Sequence, residues 1–99
     1  MDKDCFGYDV IVHPRIESKH GISEEDVMAA WRNALPLKRR NVPRNSQGND
    51  EFVTIGFDMK GRSIELIAAP YVSEHFWLIY HGVRPATKGF ISEYERIGG

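Results

Sequence analysis

The sequence predicts an α+β domain, an antiparallel sheet with helices packed on it in the order β-α-α-β-β-β-α. Three observations carry this reading. The middle of the chain holds three apolar, β-branched runs, "EFVTIGF", "RSIELIAA" and "FWLIYHG", and the first two are joined by the tight-turn composition "DMKG". A helix start with every local signal in place stands at Ser23. The 99 residues, 41% hydrophobic and 27% charged, contain no repeat, low-complexity tract or linker, so residues 1–99 form one domain with a single modest core.

The first element is "YDVIVH" (Tyr8 to His13), whose β-branched density is that of a strand. Pro14 suits the first position of a helix, where its missing N–H costs nothing. That helix, "PRIESKH", has about two turns before Gly21, a left-handed C-cap. In the next helix Ser23 is the N-cap and Asp26 stands where it reaches back toward it. Ile22 and Val27 form a staple, and Glu24, Glu25 and Asp26 set negative charge at the positive end of the helix dipole. Val27, Ala30, Trp31, Ala34 and Leu35 then recur at the spacing of a buried stripe, which Pro36 ends. Trp31 is expected in the core.

"KRRNVPRNSQGND" reads as a mobile polar loop carrying Lys38, Arg39, Arg40 and Arg44. The strands that follow are apolar on both faces in places, which predicts helices over one side. The last segment, from Pro85 to about Ile97, reads as a short helix. Ala86, Phe90, Tyr94 and Ile97 share one face; Arg84, Lys88 and Ser92 share another.

Several function classes are excluded or disfavoured. A net charge of −1 argues against broad capture of nucleic acid, but leaves room for a local basic patch. The single cysteine, Cys5, rules out an intrachain disulfide and a four-cysteine zinc site. His13, His20, His75 and His81 are scattered, so no metal and no cofactor is expected. There is no glycine-rich phosphate loop, HExxH or nucleophile elbow. The N-terminal "MDKDCFGYDV" lacks a signal peptide's basic-then-apolar run, and no segment is long enough to span a bilayer. The cytosol is the expected compartment, with no membrane partner.

What remains is a set of cations at element ends. Lys19 and His20 close the first helix, His81 closes the last strand, and Arg84 and Lys88 form an i, i+4 pair. Such a cluster suits RNA cleavage by internal attack. One group accepts the 2′-hydroxyl proton, another protonates the leaving oxygen, and cations stabilise the phosphate. Histidine does proton work near neutral pH, and arginine binds phosphate bidentately. The competing reading is that the dipole alone favours Lys19 and His20, and that Arg84 and Lys88 are a solvated face.

"KHGIS", "TIGFDMKGRSIELI" and "VRPATKGFISEY", in that order, resemble the BrnT-like toxins of bacterial type II toxin–antitoxin systems. The resemblance covers about Lys19 to Tyr94. It implies a RelE-like fold and an endoribonuclease that blocks translation by cleaving RNA, with ribosome-bound mRNA as a candidate substrate. It also implies neutralisation by a separately encoded antitoxin. Carried over by position, it points to Lys19, His20, Glu51, Arg62, Arg84 and Lys88. Phe52 and Pro85 stand where the family has basic residues, and His81 where it has a small one, so the cleavage chemistry shifts toward His81. The expected catalytic set is His81, Arg84, Lys88 and His20, with Lys19, Arg62 and Glu51 binding RNA. The alternatives are a non-catalytic protein-binding module that keeps the RelE-like fold, and a nucleic-acid-binding regulator, which the net charge disfavours.

Overall fold

The computed structural model describes residues 2–3 and 7–98; Cys5 lies outside them. The elements in chain order are β1 (Asp2–Lys3), β2 (Asp9–Val12), α1 (Arg15–His20), α2 (Glu24–Arg32), β3 (Lys38–Arg39), β4 (Phe52–Phe57), β5 (Ser63–Tyr71), β6 (Phe76–Val83) and α3 (Lys88–Arg96). The domain is α+β. Its six strands form one sheet in the order β1-β2-β6-β5-β4-β3.

The three central runs form the expected antiparallel hairpins, β4 with β5 and β5 with β6. The sheet as a whole is mixed, not antiparallel, because β2 lies parallel to β6, with Val10 opposite Trp77 and Val12 opposite Ile79. Periodicity specifies which face of a strand is buried, but not which strand becomes its neighbour. Here α1, α2 and the β4–β5 hairpin intervene before the chain returns beside β2, as a parallel pair requires.

Helices cover both faces, where one was expected. On the first, α1 and α2 pack Ile16, Val27 and Ala30 against Ile64, Leu66 and Ile79, all nearly inaccessible to water. Each such aliphatic side chain contributes about 1.5–3 kcal/mol by its burial. On the second, Phe90 and Tyr94 of α3 pack against Val53, Ile55 and Ile67. The approach of α2 is close enough to require Gly56: a Cβ there would sit 1.9 Å from the Ala30 carbonyl oxygen.

The end of α1 and the start of α2 follow the sequence signals, whereas α2 ends early and α3 starts late. Gly21 caps α1 with φ 66°, and Ser23 Oγ accepts the Asp26 N–H at 3.1 Å. The Asp26 carboxylate, however, is engaged by Arg84. Helix α2 stops at Arg32, so Leu35 is 44% exposed and the stripe ends early. Trp31 is half-buried against Trp77, with ring centroids 5.6 Å apart, and Met28 takes the deeper place. The residues after α2 close the outer edge of β4. Leu35 N–H donates to Ile55 O at 2.9 Å. The Asn33 side chain donates to the Phe57 carbonyl and accepts from its N–H. These bonds occupy the outward Ile55 carbonyl and both Phe57 backbone groups, which another chain would otherwise pair with.

The segment expected as a polar loop is one from residue 40 to residue 51, but its first residues are tied to other elements. Lys38 and Arg39 pair with Val53 and Phe52, and Arg40 Nε and Nη2 grip the Glu93 carboxylate at 2.6 and 3.0 Å. The last helix begins at Lys88 rather than Pro85. Thr87 is its N-cap, with extended backbone (φ −78°, ψ 155°) and Oγ1 accepting the Phe90 N–H. Arg84 therefore lies outside the helix, and the expected i, i+4 pair with Lys88 is not formed.

Candidate functional site: a cationic cleft at the open edge of β6

Two departures from regular structure build this site. The first is the point where β2 leaves β6. His13 N–H donates to Ile79 O at 2.8 Å, and the chain then turns into α1. Beyond Ile79, β6 has no strand on that side, and α1 lies against it. Gly82 lets α1 settle there: a Cβ would meet Ile16 Cγ2 at 3.1 Å. The last turn of α1 then brings His20 beside His81, with ring centroids 6.3 Å apart and planes at 69°.

The second departure is a β-bulge. Ile79 is opposite Ala68 and His81 is opposite Ile67, so Tyr80 is an extra residue in β6. Strict alternation would turn His81 toward α2. The bulge places it on the α3 face instead, beside Glu65, which is two residues from its cross-strand partner. His81 Nε2 meets Glu65 Oε2 at 2.9 Å. The other carboxylate oxygen, Oε1, accepts both the Thr87 N–H at 2.7 Å and the Thr87 hydroxyl at 2.8 Å. Glu65, 4% exposed, thus joins β5, β6 and the cap of α3. With the carboxylate accepting at Nε2, the proton of a neutral His81 resides there, and Nδ1 carries the free lone pair.

Arg15, Lys19, His20, Tyr80 and His81 line an open cleft of about 310 Å³. The Arg15, Lys19 and His20 side chains are exposed and form no ion pair among the described residues. This sets them apart from most arginines of the chain. Arg39 and Arg44 pair with Asp50, and Arg40 with Glu51 and Glu93. Arg62 pairs with Asp58, and Arg84 Nη1 with Asp26 at 2.8 Å and Asp58 at 2.9 Å.

The structure therefore brings together Lys19, His20 and His81 and sets the other candidates elsewhere. Arg84 and Arg62 belong to a network around the buried Asp58 near α2. Burial alone would raise the pKa of Asp58, but the Arg62 and Lys60 N–H groups and the Arg62 guanidinium outweigh it and hold the carboxyl at about 2. Lys88 is exposed and without a polar partner at the start of α3. Glu51 lies with Arg40 at 3.3 Å and close to Tyr80. The Tyr80 hydroxyl is buried without a hydrogen-bond partner. Its pKa is raised by that burial first and by the Glu51 carboxylate second.

Three residues of the site stand outside the expected set: Glu65, Thr87 and Arg15. Glu65 had a signal, as the lone charge inside the apolar run "SIELIAA". A carboxylate in a buried strand must be hydrogen-bonded, and so marks a designed polar contact. Thr87 and Arg15 had none beyond their positions next to a helix. Among the described residues no three His, Cys, Asp or Glu side chains are grouped to hold a metal ion, and no helix is long and apolar enough to cross a membrane. No protein-family model, no curated protein and no solved structure matches the chain.

Proposed function

We propose that this chain is an endoribonuclease that works without a metal, the toxin of a type II toxin–antitoxin pair with a RelE-like arrangement. The observation that carries the reading is the pair of imidazoles facing each other in a cleft whose cations, Arg15 and Lys19, are unneutralised. His81 Nδ1 accepts the 2′-hydroxyl proton as the oxygen attacks phosphorus. His20, in its protonated form, gives a proton to the departing 5′-oxygen. Arg15 and Lys19 hold the non-bridging oxygens as charge builds on them. The products are a 2′,3′-cyclic phosphate and a 5′-hydroxyl. Glu65 is a positioning residue, since it contacts His81 and not the substrate. Arg84 supports the fold around Asp58 in this scheme, and Lys88, which does not line the cleft, has no part in it. The antitoxin is expected to cover the cleft with an acidic or amphipathic segment, so its association should quicken at low salt.

The test is incubation of the purified chain with RNA, alone in the presence of a chelator, and separately in a translating extract that keeps its magnesium. Cleavage leaving cyclic phosphate ends is expected, reduced about 10²- to 10⁴-fold in folded His20→Ala and His81→Ala. A folded wild type that cleaves nothing in either setting removes the enzyme and leaves the protein-binding module as the better account.

A further inference from the structure

α3 covers only part of its face of the sheet. Val53, Ile55 and Ile67 lie beneath it. The same face continues across β5, β6 and β2, because residues paired across strands point the same way. By register, Tyr71 pairs with Phe76, Asp9 with Phe76 and Ile11 with Leu78. Tyr71, Phe76 and Leu78 are partly open to solvent and Ile11 is 37% exposed, all outside the cluster beneath α3, while Tyr80 packs at the border of that cluster. The Tyr71 and Phe76 rings are stacked on each other, with planes 6° apart and centroids at 4.5 Å. The bulge that turns His81 onto this face makes Tyr80 and His81 neighbours on it, so the apolar surface runs directly into the cationic cleft.

We propose that this uncovered surface is a base-docking platform for the single-stranded RNA flanking the scissile phosphate; the inference rests on the proposed cleavage reading. Nucleobases need flat apolar or aromatic partners, and a sheet face with surface aromatics is a recurring solution. Phe76 and Tyr80 are four residues apart on one strand, or about 13 Å at the usual rise. That length accommodates a few unstacked bases beside the phosphate held by Arg15 and Lys19. Charge complementarity selects RNA over an apolar protein segment: the surface abuts unpaired cations at its His81 end.

The test uses a labelled 2′-O-methyl RNA of roughly 12 nucleotides and mixed sequence, which cannot undergo internal attack, and an abasic strand of the same length. Fluorescence anisotropy should show tighter binding of the strand that carries bases. Phe76→Leu combined with Tyr71→Leu should weaken that binding about 5- to 150-fold and leave the abasic strand unaffected. Circular dichroism checks the fold, and if the double variant unfolds, the comparison of the two strands on wild type decides. Equal binding of the two strands, no binding of either, a folded double variant within twofold of wild type, or self-association that buries Phe76 each overturn the platform. Base-dependent binding without cleavage of ordinary RNA refutes the cleavage reading alone. Cleavage without base-dependent binding refutes the platform alone.

Discussion

Glu65→Gln is the sharpest test of how His81 is prepared for chemistry, because the amide has only one way to sit. Glu65 Oε1 accepts two donors from Thr87, the backbone N–H at 2.7 Å and the hydroxyl at 2.8 Å. In the variant that position must stay an oxygen, since an NH₂ group facing the Thr87 N–H would set donor against donor. The amide nitrogen is then forced to the other side, where it donates to His81 Nε2. To accept that bond, His81 must move its proton to Nδ1, the nitrogen that serves as the base. The packing changes little, because the two side chains have nearly the same shape. The melting temperature should stay close to that of wild type, while the catalytic proton acceptor disappears. A positioned general base contributes about 10²–10⁴ in rate, and the matching amide substitution in a Ser–His–Asp triad costs about 10⁴. The expectation is therefore a loss of about 10²- to 10⁴-fold in kcat, or about 3–5.5 kcal/mol in the barrier, with little change in KM. Nitrogen NMR of labelled histidine reads the tautomer without reference to activity, and should show the neutral ring of His81 switched to the Nδ1–H form. A variant that keeps Nε2–H and cleaves at the wild-type rate would refute the assignment of Glu65 and of Nδ1 together.

The remaining predictions concern the frame that holds the cleft. Gly56→Ala should destabilise by about 1–3 kcal/mol, because the obstacle 1.9 Å away is the Ala30 backbone and α2 must shift; thermal unfolding should register a fall of at least several degrees. Arg84→Ala should lower stability by about 1.5–3 kcal/mol by stripping a charged partner from Asp26 and Asp58, while cleavage per folded molecule remains near wild type. A folded Arg84→Ala with normal stability and lost cleavage would return Arg84 to the phosphate. The Asp58 carboxyl, held at about 2 against roughly 3.9 unfolded, binds a proton more readily in the unfolded chain. Its contribution to stability is thus complete above the unfolded value and disappears as pH falls through about 2. Acid unfolding followed by circular dichroism should show this dependence in wild type and not in Asp58→Asn.

What the sequence determined by itself is local. The β4–β5 hairpin, the Ser23 cap, the Gly21 stop and the Phe90–Tyr94 face of α3 follow from turn residues, capping groups and periodicity, all of which act within a few positions of the chain. His81 at the end of a buried strand and Lys19–His20 at the end of a helix were legible for the same reason. Only the tertiary structure decided that these three residues meet, since that depends on β2 lying parallel to β6 and leaving it at His13. It also decided where the arginines went. Nothing near Arg84 in the chain announces Asp26 and Asp58, 58 and 26 residues away, yet they neutralise it. The placement of His81 beside Glu65 rests on one extra residue in β6. A bulge leaves no mark in composition, because the energy that selects it comes from packing Ile79 on one face and satisfying a buried carboxylate on the other.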